Sequence, residues 1–256
     1  FKINMLKDSL IIFSGISYKR QKHLKNKGII TWDDLLKKGK IYFSAENWKI
    51  IEEEIYRAME NFEKGNIDYF INLIEKRDHF IIYNDFKEKA VFLDIETTGL
   101  DFENDITILG ISNYKRNYRV FVNGINLYEE NIIPYLRNFK ILVTFYGSKF
   151  DIPFIRKKYR ILGDYLSNMV HIDLCFLGHR VGFKGGLKSI EKQVGIWREE
   201  EIKNLGGYDA VKLWMDYKNG KREALIKLIK YNRRDVLNLI NLIEIEISLM
   251  NQFYFY

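Results

Sequence analysis

The sequence predicts an α/β protein: a mixed sheet flanked by helices, with a small helical region in front of it. Three observations predict this. Through residues 1–85, apolar residues recur at helical spacing with few strand-like alternations. From Ala90 the pattern changes to alternating or continuous apolar runs of strand length. After Ile141, short extended runs alternate with helical ones, the order of a sheet that begins as a meander and continues with crossovers.

Taken in order, Trp48, Ile51, Ile55, Ala58, Met59 and Phe62 mark a helix over 46–63, with Ser44 as its cap. A short helix is expected over 66–76 and a short strand at Ile81–Tyr83. Ala90–Glu96 reads as a strand with Val91, Leu93 and Ile95 on one face and Phe92, Asp94 and Glu96 on the other. Ile106–Ser112 and Tyr118–Val122 follow, joined by a polar turn at Asn113–Asn117. A helix over 126–138 carries Pro134, and Ile141–Tyr146 has the apolar continuity of a buried central strand. Helices over 152–161 and 187–194, a strand over 170–173 and a long helix over 221–250 complete the reading. The expected domains are 1–85, helical, and 86–256, the α/β unit.

The chain has 256 residues, 47% hydrophobic and 29% charged, enough for a proper core and for one or two domains. One cysteine, Cys175, excludes a disulfide framework and a multi-cysteine zinc site, and fits a reducing, cytoplasmic setting. No apolar stretch approaches the ~20 residues of a bilayer span, and the opening FKINMLKDSL is too charged for a secretory signal. The net charge of +7 favours polyanionic partners. Two basic clusters sharpen that: Lys19, Arg20, Lys22, Lys25 and Lys27, then Arg156, Lys157, Lys158 and Arg160 just after Asp151. Such runs are usually solvated helix faces, yet beside an acidic site they suit an anionic substrate.

The acids are the more telling group. Asp94 and Glu96, two apart in a strand, project from one face with roots roughly 7 Å apart, and repel unless a cation lies between them. Alone, such a pair is most simply a polar strand end. Asp151 precedes Ile152-Pro153 and alone is most simply a helix N-cap; it also stands where an α/β sheet presents ligands. Asp235 shares its helical stripe with Leu228, Tyr231, Leu239 and Leu242, so it must be paired or ligated. Pairing with Arg234 or a nearby lysine is the plainer alternative. Tyr231 lies one turn before it and points the same way.

D-x-E followed by T-T-G-L (94–100), F-D (150–151) and Y-x-x-x-D (231–235) resemble the three exonuclease motifs of the DEDD superfamily, whose fold is ribonuclease H-like. The tyrosine in the third motif resembles the DEDDy branch. The segments HIDLCFLGHR (171–180), GGLKSIEKQVGI (185–196) and RRDVLNLINL (233–242) are similar to the YprB-type predicted exonucleases, so the resemblance spans roughly 90–245. It implies a metal-dependent 3′→5′ exonuclease acting on single-stranded DNA or RNA and releasing nucleoside monophosphates. Oxygen ligands without a His or Cys cluster suit two Mg²⁺ or Mn²⁺ ions. On this assignment Asp94 bridges both ions, Glu96 and Asp235 complete the first, and Asp151 holds the second through water. Tyr231 orients the nucleophilic water. Thr97, Thr98, Gly99 and Leu100 cradle the terminal nucleotide, and Phe150 is a candidate stacking ring or a core residue. One departure stands out. Tyr146 occupies the position where the second motif usually has asparagine, which puts handling of the terminal nucleotide in question.

Other signals lead elsewhere or nowhere. GFKGGLKS (182–189) nearly matches a phosphate-binding loop, but Leu187 replaces a required glycine, so no NTP site is expected. His23, His79, His171 and His179 fit no zinc spacing, and Asp173 is an outer acid of the site or a helix cap. FSGISYKRQKHLKNKGIITWDDLL (13–36) resembles a helix-hairpin-helix element, which would grip a nucleic-acid backbone or simply pack as a helical subdomain. The rival functions are a structure-specific endonuclease on the same fold and a nucleic-acid-binding module with a vestigial site.

Overall fold

The structure, a computed structural model, describes residues 5–255, with side chains described through residue 252. Residues 1–4 of the charged opening segment lie outside that range. The chain divides into two compact units, Phe1–Lys87 with Ile247–Tyr256, and Glu88–Glu246.

In the first unit, α1 (Tyr18–Asn26) starts at Ser17, whose side chain accepts from the Arg20 N–H. Gly28, at φ 76°, turns the chain towards α2 (Trp32–Lys38). Thr31 and Asp34 close a reciprocal capping box at the start of α2. The expected helix at 46–63 is α3 (Ala45–Glu63), capped by Ser44, and α4 (Ile67–Leu73) follows. The strand expected at Ile81–Tyr83 is instead the middle of a helix, α5 (Phe80–Phe86). Phe80, Ile81, Ile82 and Tyr83 are all buried, so a helix enclosed on every side left the same continuous apolar run as a strand. Trp32 centres the packing of this unit, stacked on Phe70 with ring centroids 6.0 Å apart and donating its indole N–H to the Ser9 carbonyl.

The second unit is built on β1 (Ala90–Thr97), β2 (Ile106–Asn113) and β3 (Tyr118–Val122), then α6 (Glu129–Leu136) and β4 (Ile141–Thr144). Next come α7 (Asp151–Lys158), α8 (Arg160–Ser167), β5 (Val170–Asp173), α9 (Leu174–Arg180), α10 (Leu187–Val194), α11 (Gly207–Lys218) and α12 (Arg222–Phe255), whose part from Ile247 on belongs to the first unit. The sheet order is β3-β2-β1-β4-β5. β1 pairs antiparallel with β2 and parallel with β4, so it lies at the centre of a mixed sheet.

Each face carries its own core. Val91, Leu93, Ile95, Leu109 and Leu142 pack with Leu136 of α6, Phe154 of α7 and Leu162 of α8. On the other face Ile108 and Val122 pack with Trp214 of α11 and Leu228 and Tyr231 of α12. Alternation along β1 therefore turns Asp94 and Glu96 towards the face covered by α11 and α12. The helix expected at 152–161 is broken at Tyr159, whose non-helical dihedrals separate α7 from α8. β4 ends at Thr144, two residues sooner than expected, because Tyr146 takes a positive φ of 61° that no strand accommodates. No helix among the described residues is long and apolar enough to cross a membrane.

Candidate functional site

β1 delivers Asp94 and Glu96 to the sheet face, and a register shift between Glu96 and Thr97 disrupts the ladder with β2 just beyond them. Such a bulge bends the strand end and re-aims its side chains. From the helix on that face comes Asp235, 6% exposed, on the apolar stripe with Leu228, Leu239 and Leu242, all buried. One carboxylate oxygen from each of Asp94, Glu96 and Asp235 falls within 4.8 Å of the others. These residues, with Asp151 and Tyr231, line a cleft of about 650 Å³.

Asp151 is buried at the first turn of α7, but it is not the ordinary cap that its position suggested. Its carboxylate accepts the Ile95 N–H at 3.1 Å, which fastens it to the strand residue between Asp94 and Glu96. It stands outside the tight trio.

Burial dominates the electrostatics. It pushes the Asp94 carboxyl well above the usual range, and Glu96, Asp235 and Asp151 push it further against the pull of Arg198. Glu96 is raised in the same way, by burial and then Asp235, with an Asn232 hydrogen bond and Lys188 in opposition. Burial lifts Asp151 to about 7, opposed by the Ile95 N–H. Asp235 is raised by burial while Arg198 pulls it down. Tyr231 is pushed up by burial and then by Asp235, Glu96 and Asp94, so its phenol stays protonated at neutral pH. An oxygen-only donor set, starved of positive charge in this way, fits a hard divalent cation.

Several residues of the site had escaped the sequence reading. Arg198, not Arg234, pairs with Asp235, its Nη2 lying 2.5 Å from Oδ1. Arg198 is itself buried and held in a fork by Glu191, which also accepts from Asn238 at 2.8 Å. Burial works against its charge, but Glu191 and Asp235 outweigh that. Arg234 instead pairs with Glu199. Lys188 lies over the Tyr231 ring, 4.8 Å from its centroid. Gly195, left-handed at φ 74°, ends the helix between Glu191 and Arg198, so helical spacing does not join them. Asn232, by contrast, is one helical turn before Asp235, and that phase was a usable signal.

The residues expected to meet substrate all line the same cleft. Thr97 donates to the Gly99 carbonyl at 2.6 Å, and Thr98 donates to Asn104. Gly99 has a local reason to be glycine: an added Cβ would stand 2.8 Å from the Asn104 side chain. Leu100 is exposed. Phe150 both lines the cleft and packs on the core, its ring 5.4 Å from that of Phe154. Tyr146 is 48% exposed and tilts over Phe176 at 6.1 Å. Its strained loop is stapled by Asp173, which accepts from the Tyr146 N–H at 2.7 Å, from Ser148, and from the Cys175 N–H that opens α9. Asp173 is thus a helix cap and a loop staple together. The basic cluster after Asp151 is largely neutralised nearby, with Arg156 at Asp164, Lys157 at Glu103 and Lys158 at Asp105.

No curated protein matches this chain. Among solved structures, the family B DNA polymerase from the hyperthermophilic archaeon Pyrobaculum calidifontis is similar in fold, with a TM-score of 0.51 and 16% identity. The likeness covers 65% of this chain and 25% of the polymerase, so the chain spans about a quarter of the length of that protein. The sequence profile of the RNase H superfamily matches residues 91–246, the span that holds the sheet and every acid of the cleft. With a mixed five-stranded sheet in the order found here, the chain belongs to the RNase H superfamily.

Proposed function

We propose that this protein is a metal-dependent nuclease of the DEDDy branch, similar to the YprB-type exonucleases, that removes nucleotides from the 3′ end of single-stranded DNA or RNA. The observation that carries this reading is the convergence of Asp94, Glu96 and Asp235 within 4.8 Å in a cleft that also contains Tyr231 and Asp151. Asp94, Glu96 and Asp235 would hold one divalent cation, Mg²⁺ or Mn²⁺, with Asp94 and Asp151 serving a second. Bound there, the pair would activate water and stabilise the leaving oxygen of a phosphodiester.

The chain's own residues do the rest. Tyr231, kept protonated, is a hydrogen-bond donor and not a base, suited to orienting the attacking water. Arg198 fixes the Asp235 carboxylate, and Lys188 adds charge of the sign that a phosphodiester needs. Tyr146, with Phe176 packed beside it, gives the cleft an aromatic face on which an unpaired base can stack. The turn Thr97–Leu100, with Phe150, forms the rest of the wall against which the terminal nucleotide would lie. The helices at 13–36 would add backbone grip. A cytoplasmic setting fits Cys175, a free and buried thiol.

The test uses 5′-labelled single-stranded DNA and RNA with Mg²⁺ or Mn²⁺. A ladder shortening from the 3′ end, lost in Asp94→Asn, is the expected result. A single internal cut would point to an endonuclease. No product with either metal, or an Asp94→Asn variant as active as wild type, would overturn the reading.

A further inference from the structure

Asp94 and Glu96 are like charges on one strand face, and something in the chain must hold them side by side before any cation arrives. The residue in that place is Asn232, fully buried on α12. Its amide nitrogen donates to Asp94 Oδ2 at 2.9 Å and lies 3.3 Å from the Asp94 carbonyl oxygen. The same nitrogen reaches Glu96 Oε1 at 3.4 Å. One side chain therefore supplies donors to both acids of the first motif.

The far end of that amide is fixed as well. Asn232 Oδ1 accepts the Tyr118 hydroxyl at 2.8 Å. Burial and the nearby carboxylates keep the Tyr118 phenol protonated, so it can donate to that amide oxygen. A flipped amide would set its oxygen against two carboxylates, so the acids decide which way the amide points. The backbone makes room for this arrangement. Gly110 is the β2 partner of Asp94, and a Cβ there would stand 1.8 Å from Asn232 Oδ1.

We infer that Asn232 is a positioning residue for the metal ligands, with Tyr118 locking its amide and Gly110 providing the space. The inference rests on the proposed metal-dependent reading of the cleft. Asn232 need not touch substrate or ion. It orients the Asp94 carboxylate through Oδ2 and lowers the cost of keeping two acids together. An amide suits this role better than lysine or arginine would, because it adds no charge to compete with the cation. Outer partners of this kind typically change metal affinity roughly 10–100-fold when removed.

The experiment is Mn²⁺ titration by isothermal calorimetry on the full chain, with folding of each variant checked by thermal melt. Asn232→Ala should weaken the tighter Mn²⁺ site by roughly 10-fold or more. Tyr118→Phe, which removes one hydroxyl and leaves the acids untouched, should weaken it by a smaller, several-fold factor. Gly110→Ala should match Asn232→Ala, since it displaces the amide without touching any acid. A purely structural Asn232 would lower the melting temperature and leave the affinity of folded protein within two-fold of wild type. That result, with Asp94→Asn still abolishing Mn²⁺ binding, would overturn the inference and leave the functional reading standing. Wild-type protein that binds no Mn²⁺ would overturn both.

Discussion

The two units treat a buried acid in opposite ways. In the N-terminal unit Asp78 is 2% exposed, accepts the Tyr18 hydroxyl and lies 3.5 Å from Arg77 Nε. Its charge is met by its own neighbours. In the unit Glu88–Glu246, Asp94, Glu96, Asp151 and Asp235 lie together, with Arg198 and Lys188 pulling against their mutual repulsion. Arg198 is also shared with Glu191. An acid matched by its own neighbours is a structural contact. A cluster of acids that raise one another's pKa is held at a cost to stability, which bound protons or an added cation would relieve.

The comparison can be broken or sharpened by mutation. The largest expected effect is at Arg198, where Arg198→Met leaves Glu191 and Asp235 buried without their cation. It should destabilise the metal-free protein by about 3–5 kcal/mol in urea unfolding. Next come two substitutions of opposite sign. Asp78→Asn loses a matched acceptor and should lower stability by about 1–3 kcal/mol. Asp94→Asn removes one of several repelling carboxylates and should raise the melting temperature in EDTA. If both shifts have the same sign, the contrast between the units is wrong.

A smaller effect is expected from pH. The site carboxyls have folded pKa values above the ordinary range, Asp151 at about 7. Between about pH 4 and pH 7 the folded state therefore binds more protons than the unfolded state, and these groups make metal-free stability fall as pH rises. Mn²⁺ needs the deprotonated carboxylates, so its stabilisation should grow over the same window. Melting curves at pH 5 and pH 8, in EDTA and in Mn²⁺, check both signs for wild type and Asp94→Asn. The difference between those two proteins isolates the site from the rest of the chain. The smallest effect is at Tyr146. Tyr146→Asn relieves left-handed strain and should stabilise by about 1 kcal/mol, while raising KM for a single-stranded substrate through lost stacking.

Much of the sheet was legible because its strands alternate or run continuously apolar. Tyr118–Val122 has the predicted bounds, and so do the helix 187–194 and the strand 170–173. The acids were legible for a different reason: their spacing set them on shared faces, and the helical phase of Asp235 among leucines implied burial. The partners of those acids were not legible. Arg198 reaches Asp235 across a loop, and Tyr118 reaches Asn232 from a strand 114 positions away. Contacts of this kind have no period. Phe80–Tyr83 failed for the converse reason, since burial on all sides erases the phase that separates helix from strand.

The most direct test of the charge shortage is a crystal of the protein soaked in Mn²⁺ and measured for anomalous scattering. The account predicts a peak within roughly 2.0–2.6 Å of carboxylate oxygens from Asp94, Glu96 and Asp235. An empty trio, with those carboxylates turned to Arg198 and Lys188 at saturating Mn²⁺, would contradict it.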